Sequence, residues 1–334
     1  QDIAVYLALA SMRSLGKYQH ILSSTGNFRF TSSYQSKNKR YHARAHMVTQ
    51  DILNQENGGL SDEDLLEFES GNEEFIDRSL FDPLFENAEN NLEGRRFYLD
   101  QVYQLKSNDS LGYNGINIGS VIYIEDKYYQ FKQDQKVDFF GDAFVPSKLT
   151  DKNTFEHFYT ALNVDYTNKT MGRLSAQLGY NSFNYGYNAL VILDGQTISN
   201  RLKESTLSFE GGYDKQLGPV LLKADLGINV AGDLEGNYLN AQADYQINSD
   251  IQLMVKLNMN STAANYNYRL HQSDYLNYNW QNNFKNQQTQ QLAFELNSHK
   301  YGTLSADYST ISNFLFFKNK ESQGVKPYQY DGTI

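Results

Sequence analysis

From Val220 to Met259 the chain alternates apolar and polar residues one for one, through three successive segments that are too long for ordinary soluble strands. Val220, Leu222, Ala224, Leu226, Ile228 and Val230 alternate with Lys223, Asp225, Gly227 and Asn229. Leu239, Ala241, Ala243, Tyr245 and Ile247 alternate with Asn240, Gln242, Asp244 and Gln246, and the pattern resumes at Ile251, Leu253, Val255, Leu257 and Met259. Period two means β-strand, because successive side chains point to opposite faces. A soluble strand is typically ~5–6 residues long. Longer strands with charge confined to one face predict an all-β fold, an antiparallel transmembrane β-barrel.

The composition is compatible with that reading and excludes others. Mean hydropathy is −0.62, and no window approaches the ~18 apolar residues of a spanning helix. A barrel passes this test because only alternate strand residues face lipid. The 26 Tyr and 20 Phe supply aromatics suited to membrane interfaces, and 4 Pro leave strands largely unbroken. With no cysteine there is neither a disulfide framework nor a thiolate metal site. A net charge of −10 without a basic stripe argues against a nucleic-acid partner. The expected surroundings are outer-membrane lipid and the expected location is the bacterial outer membrane. Gln1 to Ala10 lack the charged start and cleavage site of a signal peptide, so the expectation is a mature or partial chain.

Alternation predicts about thirteen strands, at 2–12, 20–36, 39–55, 95–107, 112–133, 153–166, 172–185, 204–214, 219–230, 236–247, 251–264, 285–297 and 303–317. Tight links rich in Asn, Asp, Ser and Gly fall at 37–38, 107–111, 168–171, 215–218, 248–250 and 298–302. Long polar links fill most of the remaining gaps, as in a barrel with short periplasmic turns and long outer loops. Segments 56–94, 134–152, 186–203, 265–284 and the stretch beyond 318 are then outer. Thirteen strands cannot close an antiparallel barrel. The expectation is therefore one incomplete barrel domain over 1–334, with further strands elsewhere in a longer protein or, as the lesser alternative, in a second polypeptide.

His42, Arg44 and His46 share one strand face. The two histidines are ~13 Å apart along the strand, too far to hold one metal ion, so no metal site is expected. A basic row lining the lumen opposite Asp165, Glu210, Asp225, Asp244, Glu295 and Asp307, with Lys223 and Lys256 on the same face, would set a transverse field and tune selectivity. A polar lining that only solvates the lumen would look similar. The acidic loop 56–94 carries Asp62, Glu63, Asp64, Glu67, Glu69, Glu73, Glu74 and Asp77, and Ser61 ahead of Asp64 resembles a helix capping box. Its carboxylates lack calcium-loop spacing. This loop is expected to lie across the pore, to meet another envelope protein, or simply to be solvated. No catalytic or phosphate-binding motif is present, so neither enzymatic activity nor a cofactor is expected.

Arg13 to Gln19, Asn38 to Tyr41, the run Asn54 to Asp62 with Glu56-Asn57-Gly58-Gly59 at its centre, and Phe75 to Arg78 together resemble the signature of the Bacteroidota putative porin family. The likeness is clearest over residues 1 to about 135. It implies a Gram-negative outer-membrane barrel with strands beyond both ends of this chain, and it carries over no functional residue. Gly58 and Gly59 are expected to supply positive φ where the strand enters the loop. The leading functional expectation is passive diffusion of small polar solutes. The alternative is a plugged barrel serving as a structural or docking subunit of an outer-membrane complex. A soluble β adhesin or carbohydrate-binding module is the third reading, and it would need shorter strands with packed apolar faces.

Overall fold

The computed structural model describes residues 2–71, 73, 76–106, 114–193, 195–320 and 324–334. Phe75 of the signature and the expected turn at 107–111 lie outside the described residues. The strands are β1 (Asp2–Ser14), β2 (Ser23–Gln35), β3 (Tyr41–Glu56), β4 (Ala88–Lys106), β5 (Gly115–Gln135), β6 (Ser147–Asn168) and β7 (Gly172–Tyr187). There follow the short β8 (Val191–Leu193) and β9 (Gln196–Ile198), then β10 (Arg201–Leu217), β11 (Val220–Gly232), β12 (Asn237–Gln246) and β13 (Ile251–Thr262). The last are β14 (Leu270–His271), β15 (Trp280–Gln281), β16 (Gln287–Ser298), β17 (Gly302–Lys320) and β18 (Gly324–Thr333). Helix α1 is Asp62–Ser70 and α2 is the single turn Tyr266–Arg269. No described helix is long and apolar enough to cross a membrane.

Fourteen strands form one antiparallel sheet in the order β1-β2-β3-β4-β5-β6-β7-β10-β11-β12-β13-β16-β17-β18, a simple up-and-down meander. β8–β9 and β14–β15 are separate hairpins within loops. The large sheet is open, with β1 and β18 as its two edges.

Every predicted strand is present, and five described strands were not predicted: the short loop strands β8, β9, β14 and β15, and β18 of the large sheet. The β18 sequence, with Pro327, Asp331 and Gly332, breaks the alternation. It is held by register partners such as Phe314↔Tyr330 and Phe316↔Tyr328 on β17. The stretch beyond 318, expected as an outer segment, is therefore largely strand. β4 likewise begins at Ala88, inside the expected loop, and β6 begins at Ser147 rather than 153. In both extensions the outward face is polar and the inner one mixes Ala88, Asn90 and Leu92, or Leu149 and Asp151, so period-two contrast fades although backbone pairing continues.

The register fixes the faces. One continuous row of directly paired residues runs His42, Val102, Gly119, Asn163, Gln177, Glu210, Gly227, Tyr238, Asn260 across β3 to β13. Paired residues lie on the same side, so this row defines a polar face. The opposite face is apolar and open: Leu162 is 65% exposed, Leu178 49% and Leu226 46%. Tyrosines bound this apolar band at the tight-turn end, at Tyr41, Tyr103, Tyr166, Tyr213 and Tyr245, and the row Phe97, Ile124, Phe158 bounds it at the other. One step further the same face turns polar along Arg95, Asp126, Glu156, Asn184 and Lys203. From Phe158 to Tyr166 is nine residues, in line with the ~9–11 that a tilted membrane strand requires. An apolar belt between aromatic girdles is the pattern that lipid selects.

Replacing Leu226 with Arg is expected to cost about 2–4 kcal/mol, whereas Asp225→Asn on the opposite face is nearly neutral. Denaturant unfolding of both variants in lipid vesicles measures this, and equal tolerance would contradict the lipid-facing assignment.

Candidate functional site on the polar face

The register places all the predicted charged residues, His42, Arg44, His46, Asp165, Glu210, Lys223, Asp225, Asp244, Lys256, Glu295 and Asp307, on the polar face. Their surroundings differ. His42 bonds back to the turn through the Lys39 carbonyl at 3.0 Å. Arg44 pairs in register with Asp100, and His46 stacks on Tyr98 with ring centroids 5.0 Å apart. Arg29 and Arg96 join His46 in lining one recess of about 680 Å³, which gathers cationic side chains on β2–β4. On the far strands Lys256, Glu295 and Asp307 share a recess of about 340 Å³. Asp165 is bridged to Arg173 at 2.8 Å and Asp244 accepts from Gln242 Nε2 at 2.9 Å. Glu210 accepts from the Tyr238 hydroxyl at 3.2 Å.

The acidic loop behaves locally as its sequence implies. Ser61 Oγ accepts from Asp64 N at 3.1 Å and caps α1, whose acidic first turn complements the helix dipole. Gly58 and Gly59 have φ of +75° and +91°. A side chain at Gly58 would also collide with the Phe85 ring. Nearby, Phe81 and Phe85 are buried, and Gln19 Nε2 donates to the carbonyls of Ser79 and Phe81 at 3.1 Å each. α1 itself has no buried residue.

The segment that crosses the polar face is a different one, residues 263–286 between β13 and β16, which by sequence is only a polar outer loop with strand ends. Its apolar residues find cover against the wall. Leu270 is fully buried with Tyr185, Tyr187 and Ile198, and Tyr266 stacks on Phe155 with centroids 5.0 Å apart. At its other flank Tyr268 stacks on Phe317 of β17 at 4.7 Å, and Lys326 Nζ of β18 donates to the Asn279 carbonyl at 3.1 Å. Tyr275 also donates its hydroxyl to Gln133 Oε1 of β5, so the segment touches β5–β7 and β17–β18 at once.

Polar anchors complete the docking. Arg269 forms a paired salt bridge with Glu204 of β10, both side chains largely buried. The Tyr185 hydroxyl donates to Asn267 Oδ1 at 3.1 Å, and Gln272 Nε2 donates to the Ser199 carbonyl at 3.1 Å. Phe144 N donates to the Asp274 carbonyl at 2.8 Å, so the loop 136–146 also lies against the crossing segment.

Asp151 of β6 receives the Ser273 hydroxyl and, at 2.7 Å, the Asp274 N–H. It stands past the apolar belt: around it the outward side chains are Lys148, Thr150, Lys152, Thr154 and Glu156. Burial beneath the loop pushes its carboxyl up to about 6, outweighing the Ser273 and Asp274 donors that favour the anion, while the Asp274 charge adds to the rise. Burial also holds His271, within the loop, below the ordinary imidazole range. Tyr129, Phe131, Asp151, Tyr187, His271 and Tyr275 line an open recess of about 290 Å³ at this junction.

Sequence reasoning missed this segment because its contacts are long-range. Arg269, Asp151 and Glu204 follow no motif. The one visible signal was density of aromatic residues, with Tyr266, Tyr268, Tyr275, Tyr278 and Trp280 within fifteen residues, more than a solvated loop needs.

A family model described as "Putative porin" matches residues 1–334. The chain belongs to this family. No curated protein matches it in sequence. Among solved structures, this porin-family chain resembles a mutant ferric enterobactin receptor of Pseudomonas aeruginosa in complex with enterobactin, at 10% identity and a TM-score of 0.61, covering 95% of this chain and 50% of the receptor. The ferric-catecholate import receptor Fiu of E. coli K12 matches at 9% identity and a TM-score of 0.58, over 98% of this chain and 56% of Fiu. The copper transporter OprC matches at 9% identity and a TM-score of 0.64, over 98% and 52%. The chain spans about half the length of these proteins. At such identity the likeness is one of fold, that of an outer-membrane receptor sheet. The porin-family chain is a protein of the bacterial outer membrane.

A carboxyl held above its unfolded value of 3.8 makes the docked state the better proton acceptor. Through Asp151, docking of 263–286 therefore strengthens as pH falls through about 6 toward 3.8, whereas His271, held low by the same burial, favours docking as pH rises and opposes it. Hydrogen exchange across the segment, corrected for intrinsic rates, is expected to show the parent gaining protection relative to Asp151→Asn as pH falls from neutral to acid, which isolates the Asp151 contribution from that of His271. An unchanged profile in the variant would contradict this.

Proposed function

We propose that this chain forms most of the wall of an outer-membrane barrel through which small polar solutes diffuse passively. The observation that carries the reading is the crossing segment 263–286, which narrows the polar face without covering it. Recesses of about 450 Å³ and 680 Å³ remain open on that face, the first beneath α2 of the crossing segment and the second on β1–β4. A lipid-facing belt outside, charge inside and an ordered internal loop are the parts of a sized, water-filled pore. Further strands pairing with β1 and β18 would close the wall.

Charge is unevenly spread over this face. Arg29, His42, Arg44, His46 and Arg96 cluster on β2–β4 around Asp100, whereas on β10–β17 Glu210, Asp225, Asp244, Glu295 and Asp307 outnumber Lys223 and Lys256. This supports a transverse field acting on solutes in transit. The exposed acidic α1 is a suitable contact for another envelope protein, and the signature run supports a Bacteroidota source.

Single-channel recording of the full-length protein in planar bilayers is expected to show discrete open steps, and silence from folded protein would favour a plugged, structural barrel. Removing the anchor in Arg269→Ala/Glu204→Ala should raise the unit conductance by loosening the crossing segment. Arg44→Glu should shift the reversal potential in a salt gradient toward cation selectivity, whereas a merely solvating row would leave it unmoved.

A further inference from the structure

We propose that the recess beneath α2 binds a neutral polyhydroxylated solute, a mono- or disaccharide. The proposal deepens the reading of this face as a solute path and rests on it. The recess measures about 450 Å³, within the ~300–1,000 Å³ usual for small-molecule sites. Two tyrosine rings form its wall in a repeated arrangement. Tyr238 of β12 lies over Gly227 of β11 and its hydroxyl reaches Glu210 of β10 at 3.2 Å. A Cβ at Gly227 would collide with that ring. Tyr159 of β6 lies beside Gly179 of β7, where a Cβ would press on it, and its hydroxyl accepts from Gln177 Nε2 at 3.0 Å. Each ring is held at its base by the strand and at its tip by a hydrogen bond, so it stays flat against the sheet.

Flat aromatic faces beside paired donors and acceptors suit a sugar. Its C–H faces are apolar and its hydroxyls both give and accept hydrogen bonds. Asn181, Asn229 and Asn260 line the same recess and supply amides of both kinds. Arg269 also borders it, but its charge is engaged by Glu204. With Glu210 and Glu235 as the remaining charged neighbours, anionic solutes are disfavoured. An organic cation would prefer rings boxed around it, whereas these lie along the wall among amides.

Saturation-transfer NMR of the full-length protein in detergent, with sucrose as probe and choline and succinate as comparisons, tests the site without requiring conduction. Saturable sucrose binding is expected, weakened about tenfold or more in Tyr238→Ala and in Gly227→Ala, the second of which retains every hydrogen-bonding group. Glu210→Gln, which keeps the shape, serves if either variant fails the heat-modifiable migration of folded protein, and a several-fold loss is expected there. Absent sucrose binding, tighter choline binding, or sucrose binding unaffected in the folded variants would overturn the proposal. Sucrose binding without bilayer conductance would overturn the open pore and leave the site. Conductance without sucrose binding would overturn the site alone.

Discussion

Side-chain alternation locked to an unbroken register is the constraint on which everything else in this molecule depends. A one-residue slip between any two neighbouring strands would carry Asp225 or Glu210 to the belt and Leu226 or Phe209 to the polar face. The polar face carries charged residues on most strands, so a slip is penalised almost everywhere along the sheet. Backbone groups in the bilayer have no water to bond, and the meander satisfies them between neighbours along nearly its full width. Its two open edges, β1 and β18, are where that satisfaction stops.

The second organising element is burial on the wrong side by soluble standards. The largest apolar residues of the sheet are exposed, and the buried cluster of Tyr185, Tyr187, Ile198 and Leu270 sits on the polar face where a loop lands. Aromatic stacking, the Arg269–Glu204 pair and the Asp151 hydrogen bonds are spread over β6, β7, β10 and, through Tyr268 and Lys326, β17 and β18. Stability drawn from both flanks of the sheet makes the segment a strut rather than a free flap. The Asp151 carboxyl then couples that strut to pH, because its burial exists only while the segment is docked.

Strand positions, the tight turns among the described residues and the common face of eleven charged residues were legible because lipid forces period-two contrast into the sequence itself. The capping of α1 by Ser61 and the positive φ of Gly58 and Gly59 were legible for an equally local reason. β18 was not, since Pro327 and Gly332 blur its alternation and its support comes from β17. Nor was the crossing role of 263–286: charge makes the acidic loop conspicuous in the sequence, whereas docking depends on partners such as Asp151 and Glu204, more than sixty residues away. The Tyr238–Gly227–Glu210 arrangement spans three strands and becomes visible only once register is known.

The cysteine-free sequence makes the central claim directly measurable. Single cysteines at consecutive positions 222 to 228, spin-labelled in the full-length protein in lipid vesicles, report accessibility to oxygen, which partitions into lipid, and to a water-soluble nickel complex. Oxygen accessibility should peak at Leu222, Ala224, Leu226 and Ile228, and nickel accessibility at Lys223, Asp225 and Gly227. Profiles that fail to alternate, or that alternate with the opposite phase, would contradict a lipid-facing apolar belt backed by a water-facing polar wall.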